Sequence, residues 1–105
     1  MYYVYVIQSQ KDKRFYKGFT SDLQNSLEDH NAGRVSSTKE RVPFELIYFE
    51  GCLNEQDALA REKYLKSGMG KRYLKNRLKW FLCLTGQVEE AKVPYITKMK
   101  RKNKV

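Results

Sequence analysis

Two cysteines, two prolines, one histidine and one tryptophan are all that 105 residues hold of those four types. Each shortage excludes something. Cys52 and Cys83 show no Cys-x-x-Cys pairing. They read as small apolar fillers of a reduced, cytosolic protein and not as a disulfide framework. A single histidine beside two unspaced cysteines excludes a zinc finger, and no Gly-rich phosphate loop is present. Nor is there a serine–histidine–acid or cysteine–histidine pattern for covalent catalysis. No apolar run approaches the roughly 18 to 20 residues that span a bilayer. The opening Met1-Tyr2-Tyr3-Val4 lacks a charged segment followed by an apolar one, so no secretory signal is read there.

What is abundant is tyrosine, phenylalanine and positive charge. Eight Tyr and five Phe favour a compact, sheet-containing globule over a disordered chain, and the length suits one domain with one modest core. The net charge of +9 is unevenly placed. Residues 1–60 hold seven Lys/Arg and nine Asp/Glu, whereas residues 61–105 hold fourteen and three. A field of that sign and asymmetry attracts polyanions, of which nucleic acid is the usual one. Solubility and a basic tail are the plainer explanation, and a ribosomal or anionic-lipid partner would leave the same trace.

The pattern along the chain predicts the order β-β-α-β-α-α. Residues 2–9, YYVYVIQS, and 14–19, RFYKGF, are rich in strand formers and flank a polar loop of hairpin length. Thr20-Ser21-Asp22 supplies helix caps, and Leu23, Leu27 and His30 share one helical face that Gly33 ends. Residues 34–43 read as a loop and 44–49, FELIYF, as a third strand. Asn54 caps a second helix, with Leu53 placed to staple against Ala58 and an inward face of Ala58, Leu59 and Leu65; Gly68 and Gly70 break it. A third helix covers about 71–84 with Leu74, Leu78, Phe81 and Leu82 inward, and Gly86 ends it. The expectation is an α+β fold, a three-stranded antiparallel sheet packed with about three helices. The domain spans residues 1–86, and residues 87–105 form a flexible basic tail.

Taken singly, the polar residues have ordinary explanations. Tyrosine on a strand packs with its hydroxyl at a wet edge. A lone histidine on a helix is usually a structural hydrogen-bonder, and Glu62 has Lys66 four residues on for a surface salt bridge. Their order along the chain carries more. Tyr3-Val4-Tyr5 and Tyr16-Lys17-Gly18 stand on the two arms of the hairpin. Thr20-Ser21-Asp22-Leu23 leads to His30-Asn31-Ala32-Gly33. Then come Thr38-Lys39-Glu40-Arg41-Val42-Pro43, Leu46-Ile47-Tyr48 with Glu50, and Ala58…Arg61-Glu62-Lys63…Leu65-Lys66-Ser67-Gly68. Together these segments, over about residues 2–82, resemble the GIY-YIG nuclease superfamily in its small single-domain bacterial branch.

That resemblance implies an endonuclease that hydrolyses DNA phosphodiester bonds with one divalent ion, Mg²⁺ or Mn²⁺. Glu62 would be the metal ligand, since hard oxygen donors and retained waters suit such ions. Tyr5 would help deprotonate the attacking water, Tyr16 would position water or phosphate, and His30 would sit close to Tyr5. A free tyrosine titrates near pH 10, so Tyr5 needs a cationic neighbourhood to act at neutral pH. Lys17, Arg34, Arg41, Arg61 and Lys66 are the candidate nucleic-acid contacts. No small-molecule cofactor is expected.

The chain also departs from that family. Where relatives carry an arginine four residues before the histidine, this chain has Ser26. A serine hydroxyl supplies no charge, and loss of such a cation removes roughly 3 kcal/mol of transition-state stabilisation. Lys17 and Arg34 are the nearby substitutes. Lys17 itself replaces an apolar residue, on the strand face shared with Phe15 and Phe19. Leu74 stands where relatives often have Asn, and Asn76 would face another side of the helix. The alternatives are therefore a catalytically inactive nucleic-acid-binding module, or an interaction domain for an acidic partner such as a repair or replication subunit.

Overall fold

A computed structural model describes residues 1–84, which fall into two compact units, residues 1–67 and residues from 68 on. The first unit is built on β1 (Tyr2–Ser9), β2 (Phe15–Thr20) and β3 (Phe44–Cys52), ordered β2-β1-β3 with both pairings antiparallel. The expected sheet is thus present. Helix α1 (Leu23–Asn31) follows β2, a 3₁₀ turn at Lys39–Arg41 precedes β3, and α2 (Glu55–Lys66) follows it.

Alternation along β1 sorts the side chains. Tyr5 and Ile7 pair with Gly18 and Tyr16 of β2 and so share one face with them. Tyr5, Ile7 and Phe44 form a buried cluster with Tyr16, Leu23, Leu27, Val42 and Leu46 around it, which is how α1 docks. Val4 and Val6 point the other way and are fully buried. That face meets α2, whose own buried residues are Ala58 and Leu65. Lys17 pairs with Val6 and belongs to this second face.

The caps are local and legible. The Asp22 carboxylate accepts from the Asn25 N–H at 3.0 Å. Gly33, with φ of 76°, ends α1: its N–H reaches the His30 carbonyl and the Arg34 N–H reaches that of Asp29, the paired bonds of a Schellman stop. Asn54 caps α2 by accepting from the Gln56 and Asp57 N–H groups. Leu53 does not staple, because it is 84% exposed. Its partner Ala58 is covered by the sheet face instead.

Three expectations change in detail. The loop over 34–43 contains the 3₁₀ turn, too short to leave a periodic pattern. Strand β3 runs to Cys52 because Tyr2, Tyr3 and Val4 of β1 pair with Cys52, Gly51 and Glu50. Ser67, not Gly68 or Gly70, terminates α2, and both glycines lie in the next helix.

The second unit consists, among described residues, of α3 (Gly68–Arg77) and α4 (Lys79–Leu84). They replace the single expected helix. Leu78 interrupts it, although the Leu78 and Leu82 N–H groups still reach the carbonyls four residues back. Leu74 and Leu82 are buried as expected. Gly86 and the basic tail lie outside the described residues. Cys52 and Cys83 are both free thiols. Among the described residues no helix is long and apolar enough to cross a membrane.

Candidate active site

Three of the four expected site residues meet at one imidazole. Helix α1 buries His30 to 2% exposure on the sheet face that carries Tyr5. Tyr5 Oη lies 2.8 Å from His30 Nε2. The Tyr16 ring stands edge-on to the same imidazole, 4.9 Å between centroids, and Phe44 closes it at 6.0 Å. Gly18 makes this possible. A Cβ there would overlap Cζ and Oη of Tyr5, so the phenol crosses the β2 backbone where the side chain is missing.

Two residues that the sequence reading passed over complete the arrangement. Thr38 Oγ1 lies 2.8 Å from His30 Nδ1. Asn31 clamps the start of β3: its Nδ2 donates to the Phe44 carbonyl at 3.1 Å and its Oδ1 accepts from the Phe44 N–H at 2.6 Å. That amide holds the end of α1, and hence His30, against the sheet. The only sequence signal for either was membership in the quoted segments.

Electrostatics sharpen the roles. Burial, then the charges of Tyr16 and Glu62, push the Tyr5 hydroxyl well above the usual tyrosine range. Burial also lowers the His30 pKa, opposed by the Asp29 carboxylate, which favours the neutral imidazole. Glu62 rises from α2 with its side chain 20% exposed, and its Oε2 lies 3.2 Å from Lys66 Nζ. Among the described residues no group of three or more His, Cys, Asp or Glu side chains converges to hold a metal. A single carboxylate suits a divalent ion that keeps its waters and does not build a structural zinc or calcium cage.

The expected cationic contacts are mostly engaged within the chain. Arg34 Nη1 pairs with Asp29 at 2.7 Å. Arg41 Nε pairs with Asp12 at 2.9 Å and its guanidinium lies 5.3 Å from the Phe44 ring centroid. Asp12 is held below the usual carboxylate range by the Arg14 backbone N–H first and by Arg41 after it. Arg61 grips Glu50 with Nε and Nη2 at 2.9 to 3.1 Å and covers Tyr64. Lys66 has Glu62, and Lys17 Nζ lies 6.0 Å from the Phe15 ring centroid. The Ser26 hydroxyl donates to Thr20 Oγ1 at 2.6 Å.

The GIY-YIG catalytic domain matches residues 1–79.

The chain belongs to the GIY-YIG family.

Membership implies a nucleic-acid substrate, and GIY-YIG nucleases generally use divalent metal ions. Among its relatives is a UPF0213 protein of Clostridium perfringens, 39% identical over 67 residues, which are 63% of this chain and 71% of the relative. One from Haloquadratum walsbyi is 36% identical over 67 residues, 63% of this chain and 74% of that protein. One from Pediococcus pentosaceus is 41% identical over 66 residues, 62% and 68%. The names of these relatives say nothing about activity. No solved structure matches the chain.

Proposed function

We propose that this GIY-YIG protein is an endonuclease that hydrolyses DNA phosphodiester bonds with one divalent ion, Mg²⁺ or Mn²⁺, at a rate reduced by Ser26. The observation that carries the reading is the 2.8 Å contact between Tyr5 Oη and Nε2 of the buried His30. An isolated phenol is a poor base at pH 7, and burial makes its ionisation harder. A neutral imidazole in contact removes that obstacle. Tyr5 accepts a proton from the attacking water as its own proton passes to His30 Nε2. The water oxygen then bonds to phosphorus, and the leaving oxygen departs with the electron pair of the broken P–O bond. Tyr16, on the rim of the same imidazole, orients the water or the phosphate. Glu62 would hold the divalent ion, which supplies positive charge to the scissile phosphate and the leaving oxygen.

A second reading, a nucleic-acid-binding module on the same fold, draws on Ser26. Its hydroxyl is spent on Thr20, Arg34 is paired with Asp29, and Lys17 belongs to the opposite sheet face. Neither substitute restores a guanidinium beside Tyr5 and His30. Its mark is DNA affinity that falls steeply with salt as counterions are released.

The test is nicking of supercoiled plasmid and a branched DNA with Mg²⁺ or Mn²⁺. The wild type nicks slowly, Glu62→Ala abolishes nicking, and Ser26→Arg accelerates it by about two decades. A silent wild type with an active Ser26→Arg variant establishes the binding-module reading. Undiminished activity in Glu62→Ala overturns the metal assignment.

A further inference from the structure

We propose that Thr38 is a positioning residue of this site, whose buried hydroxyl fixes His30 in the tautomer that leaves Nε2 free to take the Tyr5 proton. The residue is fully buried and stands at the start of the 3₁₀ turn, where a threonine ordinarily caps the first N–H groups. Here its side chain makes no capping bond. The hydroxyl turns inward to His30 Nδ1 at 2.8 Å and has the Val35 carbonyl at 3.4 Å. The turn is pinned from its other end as well, because buried Ser9 donates its hydroxyl to the Arg41 carbonyl at 2.6 Å. Thr38 is therefore held in register with the imidazole and does not drift with a surface loop.

Proton bookkeeping selects one arrangement. With the proton on Nδ1, His30 donates to Thr38, Thr38 donates to Val35, and Tyr5 donates to Nε2, so every buried donor has an acceptor. With the proton on Nε2, that nitrogen would donate to Tyr5. The phenolic hydrogen would then need an acceptor other than His30. The first arrangement also points the basic nitrogen at the hydroxyl that has to ionise. Thr38 so acts through His30 and touches no substrate itself. The catalytic consequence rests on the nuclease reading above, whereas the tautomer assignment stands without it.

His30 is the only histidine in the chain, so its ring nitrogens can be read without assignment ambiguity. The experiment is ¹⁵N NMR of the histidine-labelled full chain at pH 7.5, with nicking measured on the same samples. Wild type and Tyr5→Phe show a protonated Nδ1 and an unprotonated Nε2. Thr38→Val shifts the ring toward a mixture containing protonated Nε2 and slows nicking about tenfold, and Thr38→Ser restores both. A wild type with its proton on Nε2, or a folded Thr38→Val that keeps the wild-type pattern, overturns the proposal. Should Thr38→Val fail to fold, the wild-type and Tyr5→Phe spectra decide the tautomer. The expected spectra without nicking in any sample uphold the tautomer assignment and overturn the nuclease reading.

Discussion

Strand β1 is buried on both faces, yet it meets different chemistry on each. Toward α2 it sends Val4 and Val6, fully buried, and the helix replies with Ala58 and Leu65. Toward α1 it sends Tyr5 into a chain of hydrogen bonds that ends at His30 and Thr38. The apolar face is non-directional and tolerant of small shifts. The polar face holds its geometry only while each donor keeps its acceptor. One strand thus carries a wholly apolar contact on its α2 side and, on its α1 side, an apolar cluster around Ile7 with a hydrogen-bonded path running through Tyr5.

Substitutions on each face should pull these two properties apart. The largest effect is expected from Tyr5→Phe, which removes the hydroxyl and the proton path. Nicking falls by about 10²- to 10⁴-fold, as for loss of a general base, while stability drops by about 1 to 3 kcal/mol from the unpaired imidazole. Plasmid nicking and urea unfolding on the same sample check this. Leu65→Ala inverts the pattern. It costs about 2 to 5 kcal/mol, and the folded fraction keeps its rate per molecule. Equal rate losses in both variants would erase the distinction between the faces.

The smallest effect is a pH dependence confined to the polar face. The folded pKa of His30 lies below its ordinary value, so below about pH 6.5 the unfolded chain takes up a proton more readily than the native one. Stability is therefore full above that pH and declines as the pH falls through the ordinary histidine range. The Tyr5 pKa is raised, so above about pH 10 the unfolded chain gives up its proton first and stability declines again. Urea midpoints measured from pH 5 to 7.5 should fall on the acid side in wild type and flatten in His30→Gln.

The sequence revealed most where structure is local. The β-branched and aromatic run over 2–9 became β1 unchanged, and Asp22, Asn54 and Gly33 mark helix ends because their bonds reach only a few residues away. It revealed least where a distant partner decides. β3 reaches Cys52 through pairing with Tyr2, although Glu50 and Gly51 are weak strand formers. Leu53 had the right spacing for a staple, but the sheet took Ala58. For the site, Tyr5, Tyr16 and His30 were legible from their order along the chain. Thr38 and Asn31 were not, because their bonds reach across 8 and 13 positions to partners fixed only by the fold. The basic residues were legible as cations but not as paired ones, since Asp12, Asp29 and Glu50 find them only in three dimensions.

The Asn31 clamp has a consequence beyond holding α1. Strand β3 lies at the sheet's edge, and its apolar start, Phe44-Glu45-Leu46-Ile47-Tyr48-Phe49, is the kind of sequence that templates strand addition from other chains. A side-chain amide offers one donor and one acceptor in the same spacing as a backbone rung. By occupying both groups of Phe44, Asn31 stands in for the first residue of a neighbouring strand. An incoming chain finds that rung already filled. The residue that follows His30 in sequence thus closes one rung of the sheet's edge.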